Sequence, residues 1–284
     1  MSPDEQRQAL YRDRPLTAGF PDLESTSTAV FSESLGKDTG HRARLQHVLP
    51  LLGRVVDLDR VRNVAVVGCG PRPETVGILD ELGYAVAAVE PVPGYAEEAR
   101  AFLDGRAAAV RLGSAEQLPL EDGSQDLVFL ESVLEHVDSP VKSLQEAHRV
   151  LAPGGIAFVV TTNRLRFVPS GSCAEFNVRF YNWLPRLVKE SYVFEQLHFR
   201  PELANFTPRP AVHWFTYGEL CALGRAAGFA QFYSHLDLLR PSDATVRARR
   251  VKRLLLGRIQ TSPWLRALAL TQVGDVVVMW KRGE

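Results

Sequence analysis

Two small groups of residues in this sequence have the types and spacing to do chemistry. The first is Gly68-Cys69-Gly70, which follows the apolar run Val64–Val67 and is followed by Pro73. Glycine permits a tight turn and lets a ligand approach the backbone closely, and proline is suited to the first position of a helix. A strand, a glycine turn and a helix N-terminus together can hold a nucleoside-type cofactor. Glu90 ends a second apolar run, Ala85–Val89, where an acceptor for a ribose diol is expected. A plain turn with a surface glutamate is the competing reading.

The second group lies in Glu131–Val137, Glu-Ser-Val-Leu-Glu-His-Val, directly after the apolar run of Asp126–Leu130. An imidazole titrates near neutrality, so His136 is the candidate base for a hydroxyl or protonated amine. A histidine that fills a polar gap in a helix is the alternative. Glu131, nearer the strand end, is favoured for contact with cofactor or substrate. Glu135 either orients a substrate or belongs to a solvated helix face. His213 either lines the site or is a loop histidine stacked on Trp214.

The elements that must position these groups alternate in type. A helix over His41–Leu52 is predicted from Leu45, Val48, Leu49 and Leu52, with Gly53 as its stop. Strands are predicted at Val64–Val67, Ala85–Glu90, Ala107–Leu112, Asp126–Leu130 and Ile156–Thr161. Helices are expected between them at Glu74–Leu82, at Tyr95–Leu103 and from Ser139-Pro140 onward, the last one stopped by Pro153-Gly154-Gly155. Glu131–Val137 reads as a short helical turn. Such alternation implies right-handed crossovers and a mostly parallel sheet, an α/β fold. Further on, Thr216 and Glu219 form a capping box, with Phe215 and Leu220 as a hydrophobic staple.

Bulk properties narrow the function. The 284 residues carry 33 Lys plus Arg and 33 Asp plus Glu, and zero net charge argues against bulk attraction to nucleic acid or acidic membranes. Cys69, Cys173 and Cys221 are scattered without a CxxC pair, which points to a reducing compartment and no metal site. The polar N-terminus lacks a signal segment and no apolar run approaches a membrane span. A cytoplasmic protein without stable membrane insertion and without a nucleic-acid partner is expected.

Taken together, the Gly68-Cys69-Gly70-Pro71 turn, Glu90, Gly113-Ser114-Ala115-Glu116, Val133-Leu134-Glu135-His136-Val137 and Arg149-Val150-Leu151-Ala152-Pro153-Gly154-Gly155 resemble a class I S-adenosylmethionine-dependent methyltransferase of the small-molecule type. The resemblance covers Leu45–Asn163 and resumes at Val212–Phe229. It implies a Rossmann-like, doubly wound, seven-stranded sheet whose last strand, Gly274–Lys281, is antiparallel. It also implies S-adenosyl-L-methionine as cofactor, over the carboxyl ends of the first two strands. The turn Gly68, Cys69, Gly70 would pass under the methionine part and Glu90 would take the ribose hydroxyls. Pro91 and Val92 would follow, Val92 against an adenine face. Ser114 and Ala115 would meet the adenine edge, and Glu131 with Ser132 would complete the site. His136 and Glu131 are the candidate catalytic residues, and no metal is called for.

Three positions depart from the family pattern: Val66 replaces an acid, Arg72 a third glycine, and Ser114 an aspartate. They keep open a protein that retains the fold but has lost catalysis. A nicotinamide oxidoreductase fits less well, because its fingerprint needs a small residue where Pro73 stands. Four regions are expected: an N-terminal arm or cap over 1–40, a cofactor-binding core over 41–163, an insertion over 164–211 and the rest of the core over 212–284. The insertion, rich in Phe, Tyr and Trp interleaved with Arg and Lys, reads as an α-helical substrate lid for a flat or glycosidic acceptor. A plain helical subdomain and a homodimer interface are its other readings. Arg240, Arg247, Arg249, Arg250, Lys252, Arg253 and Arg258 surround Leu254–Leu256. Such a segment can touch an anionic membrane or a phosphorylated substrate, although neutral net charge favours an ordinary solvated face. The predicted activity is methyl transfer to oxygen or nitrogen of a small-molecule acceptor: a glycan, a lipid-linked sugar or a secondary metabolite.

Overall fold

A computed structural model describes residues 40–165, 184–185, 188, 213–243 and 250–283. The expected N-terminal arm and almost all of the aromatic insertion lie outside the described residues.

The chain enters through α1 (His41–Leu52) and then builds β1 (Asn63–Val67), α2 (Glu74–Glu81), β2 (Ala85–Glu90), α3 (Pro93–Phe102) and β3 (Ala109–Leu112). It continues with β4 (Gln125–Glu131), α4 (Pro140–Val150) and β5 (Leu151–Val160). After the insertion come α5 (Tyr217–Ala226), β6 (Gln231–Ser234), α6 (His235–Leu238), α7 (Arg250–Thr261), α8 (Pro263–Val273) and β7 (Val276–Trp280). The seven strands form one sheet in the order β3-β2-β1-β4-β5-β7-β6. β7 runs antiparallel to both β5 and β6, while the pairs from β3 through β5 are parallel. The expected architecture is therefore present, with the winding direction reversing between β1 and β4.

Why the strands read as unbroken apolar runs is plain from the packing. Side chains alternate between faces along a strand, and both faces are covered. Ala65, Val67, Val128 and Leu130 face the cluster that holds Leu144 and Val150 of α4 and Leu220 of α5. Val64, Val66, Leu127 and Phe129 face the cluster that holds Leu45 and Leu52 of α1 and Leu79 of α2. Phe129 and Phe158, paired in register, meet edge to face at 5.5 Å between centroids.

The structure corrects several local expectations. Pro73 is the N-cap of α2, with ψ 67, so the helix begins at Glu74. Glu131–Val137 is not a helix: β4 runs through Glu131, Ser132 then turns to φ 55, and one turn is closed by His136 N donating to Val133 O. Pro153-Gly154-Gly155 does not end α4, which stops at Val150; it lies inside β5, where the register against β4 shifts between Gln125 and Leu127. Gly155 is needed there because a Cβ would stand 2.9 Å from Asp126 O and 3.0 Å from Ala152 O. Gly274 is the C-cap of α8 and not part of the last strand. The capping box at Thr216 and Glu219 is formed in both directions, and Phe215 and Leu220 are buried in one cluster.

Candidate active site

Parallel sheets offer a crevice at the carboxyl ends of the strands where the winding reverses, here at β1 and β4. Gly68 and Gly70 both take left-handed backbone angles, φ 66 and φ 68. At Gly68 a Cβ would also stand 2.9 Å from Val133 Cγ2, so the turn after β4 packs directly on the glycine turn. At Gly70 nothing lies within 4 Å of that position, so the backbone is bare on its outer side.

The donors of this turn are directed inward. Gly68 N and Cys69 N both donate to Val89 O, at 2.8 and 3.2 Å. Gly70 N donates to Glu90 Oε2 at 2.9 Å, and Glu90 Oε1 accepts from Val92 N at 3.1 Å. The Glu90 side chain is thus a brace between the ends of β1 and β2, only 4% exposed. Burial pushes its carboxyl above the usual range, and the two backbone donors pull part of that back. Beside it, burial and the Glu90 charge push the Cys69 thiol up to about 12, so it is not a thiolate nucleophile.

A cleft of about 200 Å³ opens above the glycine turn. Its walls come from the end of β1 with Gly68 and Cys69, from Arg72–Val76, from Glu131 and Ser132, and from His41 and Arg44 of α1. Arg44 Nη2 donates to Glu131 Oε1 at 2.8 Å, and His41 Nδ1 lies 3.1 Å from Thr75 Oγ1. Burial raises the Glu131 carboxyl above its ordinary range, and Arg44 opposes that. Ser132 is the one non-glycine residue with positive φ among those described. Backbone strain of this kind clusters at functional sites.

Gly68, Cys69, Glu131 and Ser132 therefore share one cleft, while Gly70 and Glu90 brace the glycine turn without lining it. The structure does not put the other predicted residues on that wall. Val92 and Ala115 are buried at 6% and 5%, Pro91 is exposed, and Ser114 sits half-buried in a small bridge with Gln117. His136 is half-buried in the turn after β4. Glu135 is not on a solvated face: it is 2% exposed and accepts from Thr161 Oγ1 at 2.7 Å. His213 donates through Nε2 to Val137 O at 2.8 Å, and its ring lies 6.0 Å from that of Phe215, tilted by 30°. Sequence reasoning missed His41 and Arg44. Their only signal is position, four residues before the buried Leu45 and Val48 on the same helical face.

Comparison with known proteins agrees with this geometry. Residues 65–159 match a family model described as a methyltransferase domain. Over those residues the chain carries a methyltransferase domain. A chain of Mycobacterium bovis called an uncharacterized methyltransferase is 37% identical over 103 residues, 36% of this chain and 41% of that one. A ubiquinone biosynthesis O-methyltransferase of Caulobacter vibrioides is 34% identical over 37% of this chain and 49% of its own length. The chain thus spans less than half the length of these curated relatives. A solved structure of a putative sarcosine dimethylglycine methyltransferase from Galdieria sulphuraria is alike in fold: TM-score 0.51, 16% identity, covering 92% of this chain and 99% of that one. Among the described residues no three His, Cys, Asp or Glu come together as a metal site.

Proposed function

We propose that this protein binds S-adenosyl-L-methionine and transfers its methyl group to an oxygen or nitrogen of a small-molecule acceptor. The observation that carries the reading is the cleft that Gly68, Cys69, Glu131 and Ser132 line together, at the glycine turn that the Gly70–Glu90 hydrogen bond braces. The residues fit the cofactor. Gly70 leaves backbone bare toward its side of the turn, and the Glu90 oxygens, each holding one backbone donor, keep lone pairs for ribose hydroxyls. A dinucleotide fits worse, since a pyrophosphate needs outward N–H groups. Here Gly68, Cys69 and Gly70 spend theirs inside the fold, and Pro71 and Pro73 have none.

When bound, the cofactor supplies a methyl group already activated on a sulfonium. The chain's work is to align the acceptor and exclude water, which can contribute about 7–11 kcal/mol. Glu131, steadied by Arg44, orients cofactor or acceptor, and His136, in the turn after β4 and outside the residues that line the cleft, is the base we assign where the acceptor is a hydroxyl or protonated amine. The acceptor class we favour is a glycan, lipid-linked sugar or secondary metabolite. The aromatic and cationic composition of 164–211 supports it, as does the O-methyltransferase name of one relative.

A second reading is a protein that keeps the fold without catalysis. Val66 on the cleft wall offers no hydrogen bond where the family pattern has an acid, and exposed Arg72 shares that wall. Two measurements separate the readings. Titration calorimetry with S-adenosylmethionine should give saturable heat, and labelled methyl should appear in a member of a metabolite library and fall sharply in His136→Ala. Binding without transfer to any acceptor, or no binding at millimolar cofactor, overturns the catalytic reading and favours the non-catalytic one.

A further inference from the structure

The C-terminal helices carry a surface that the methyltransferase reading does not use. α7 and α8 form a hairpin whose inner side is tied to the core. Leu256 is buried. Gln260 Nε2 donates to Leu236 O at 2.7 Å and to Leu239 O at 3.0 Å. Arg266 forms a two-pronged pair with Asp237 of α6. Asn163 Nδ2, just past the carboxyl end of β5, donates to Leu270 O and Thr271 O at 3.2 Å each. The hairpin is therefore held at the same edge of the sheet as Gly68 and Ser132.

Its outer side is different. Trp264 is 86% exposed and Leu268, one turn on, is 67% exposed. Both lie across α8 from Arg266, since positions two apart point to opposite sides of a helix. Leu255 is 44% exposed on α7, with the exposed Arg258 three residues away. No residue of α8 is buried. Charge adds a second, independent observation. Along α7 and α8 the sequence has five Arg or Lys, of which only Arg266 is the inward one paired with Asp237, and no Asp or Glu, in a chain whose net charge is zero.

We propose that the outer face of the α7–α8 hairpin docks the protein peripherally on an anionic lipid bilayer. A tryptophan and leucines among cations match the headgroup boundary, where rings and aliphatic side chains enter the apolar layer and basic groups meet lipid phosphates. A second copy of this chain is a poor occupant, because a two-fold contact presents each patch to itself and would set cations against cations. A nucleic acid would meet the charges but leave Trp264, Leu255 and Leu268 without apolar cover. Among the described residues no helix is long and apolar enough to cross a membrane, so the contact is one of surface docking. It does not depend on methyl transfer.

Flotation of the full chain with vesicles tests this. Vesicles of equimolar phosphatidylcholine and phosphatidylglycerol should carry the protein upward and vesicles of phosphatidylcholine alone should not, with binding released by high salt. Arg258→Gln should weaken binding about fivefold, and Trp264→Ser with Leu268→Ser more than about tenfold. All three side chains are exposed, and unchanged thermal unfolding of the variants confirms that folding is intact. Absence of flotation with the anionic vesicles, or equal flotation by the double variant, overturns the proposal. So does a dimer in sedimentation that Trp264→Ser dissolves, or a shift of a DNA duplex by the protein that exceeds its vesicle binding.

Discussion

The backbone N–H of Gly70 donates to Oε2 of Glu90 at 2.9 Å, joining residues 20 apart at the ends of two adjacent strands. The other oxygen of the same carboxylate holds Val92 N, at the start of α3. One buried side chain thus sets the glycine turn and the next loop against each other. Glu90→Ala leaves two donors without their acceptor, and a buried donor so abandoned costs about 1–3 kcal/mol. Urea unfolding should show a loss of that order. Glu90→Gln keeps one acceptor oxygen and should unfold closer to wild type, yet its S-adenosylmethionine Kd should rise at least about tenfold because the charged acceptor is gone. An unaltered Kd in Glu90→Gln would remove this residue from the cofactor site.

Gly68 and Gly70 have nearly the same φ but different surroundings, and their alanine variants should separate. At both positions alanine carries the left-handed penalty, roughly 1–2 kcal/mol. At Gly68 alone the new methyl also meets Val133 Cγ2 at 2.9 Å. Gly68→Ala should therefore be the less stable by chemical denaturation. Adding Val133→Ala should recover part of the difference between them and none of the shared cost. If the double variant is no more stable than Gly68→Ala alone, the clash is not what distinguishes the two positions.

The sheet was legible in the sequence because strands buried on both faces must be apolar throughout, and Val64–Val67 and Asp126–Leu130 are nearly so. Glu90 was singled out as an acceptor at the end of an apolar run, and the groups it accepts from in the structure are Gly70 N and Val92 N. What the sequence could not carry is which side chains a distant element brings in. Arg44 meets Glu131 across 87 positions, and nothing in its neighbours marks it. The run Glu131–Val137 has good helix formers, yet the hydrogen bond from Ser132 N to Val160 O extends the strand and leaves only a turn. The same tertiary packing buries Glu135, whose residue type alone suggests solvent.

Glu131 gives a pH signature. Burial raises its carboxyl in the folded protein, against the pull of Arg44. The folded state thus holds this proton more tightly than the unfolded chain does. The stability so supplied is complete below the ordinary glutamate value, near ~4.3, and is lost as pH rises through the raised folded value. Glu131→Gln has no such proton to lose. Its melting temperature should exceed that of wild type at neutral pH, and the gap should close in acid. Cofactor affinity should fall in the same variant, the usual exchange at a strained site. A gap that is constant with pH, or one of opposite sign, would mean that the ion pair with Arg44 outweighs burial.

The segment Arg149–Gly155 is one of those on which the methyltransferase resemblance rests, and in this structure it holds neighbouring backbone in place. Arg149 donates to Leu120 O at 2.9 Å and Leu118 O at 3.0 Å and pairs with Glu146 at 2.7 Å, which pins the loop before β4. Gly155 lies against the backbone oxygens of Asp126 and Ala152, near the amino ends of β4 and β5 and away from Glu131. Because backbone borders the missing Cβ, no flexible side chain can yield, and overpacking of this kind costs about 1–3 kcal/mol. Gly155→Ala should lower the urea midpoint accordingly. Its effect on cofactor binding should be slight: titration calorimetry below the unfolding transition should return the wild-type Kd. A Kd that weakens together with stability would show that strain at the amino edge of the sheet travels along β4 to the cleft.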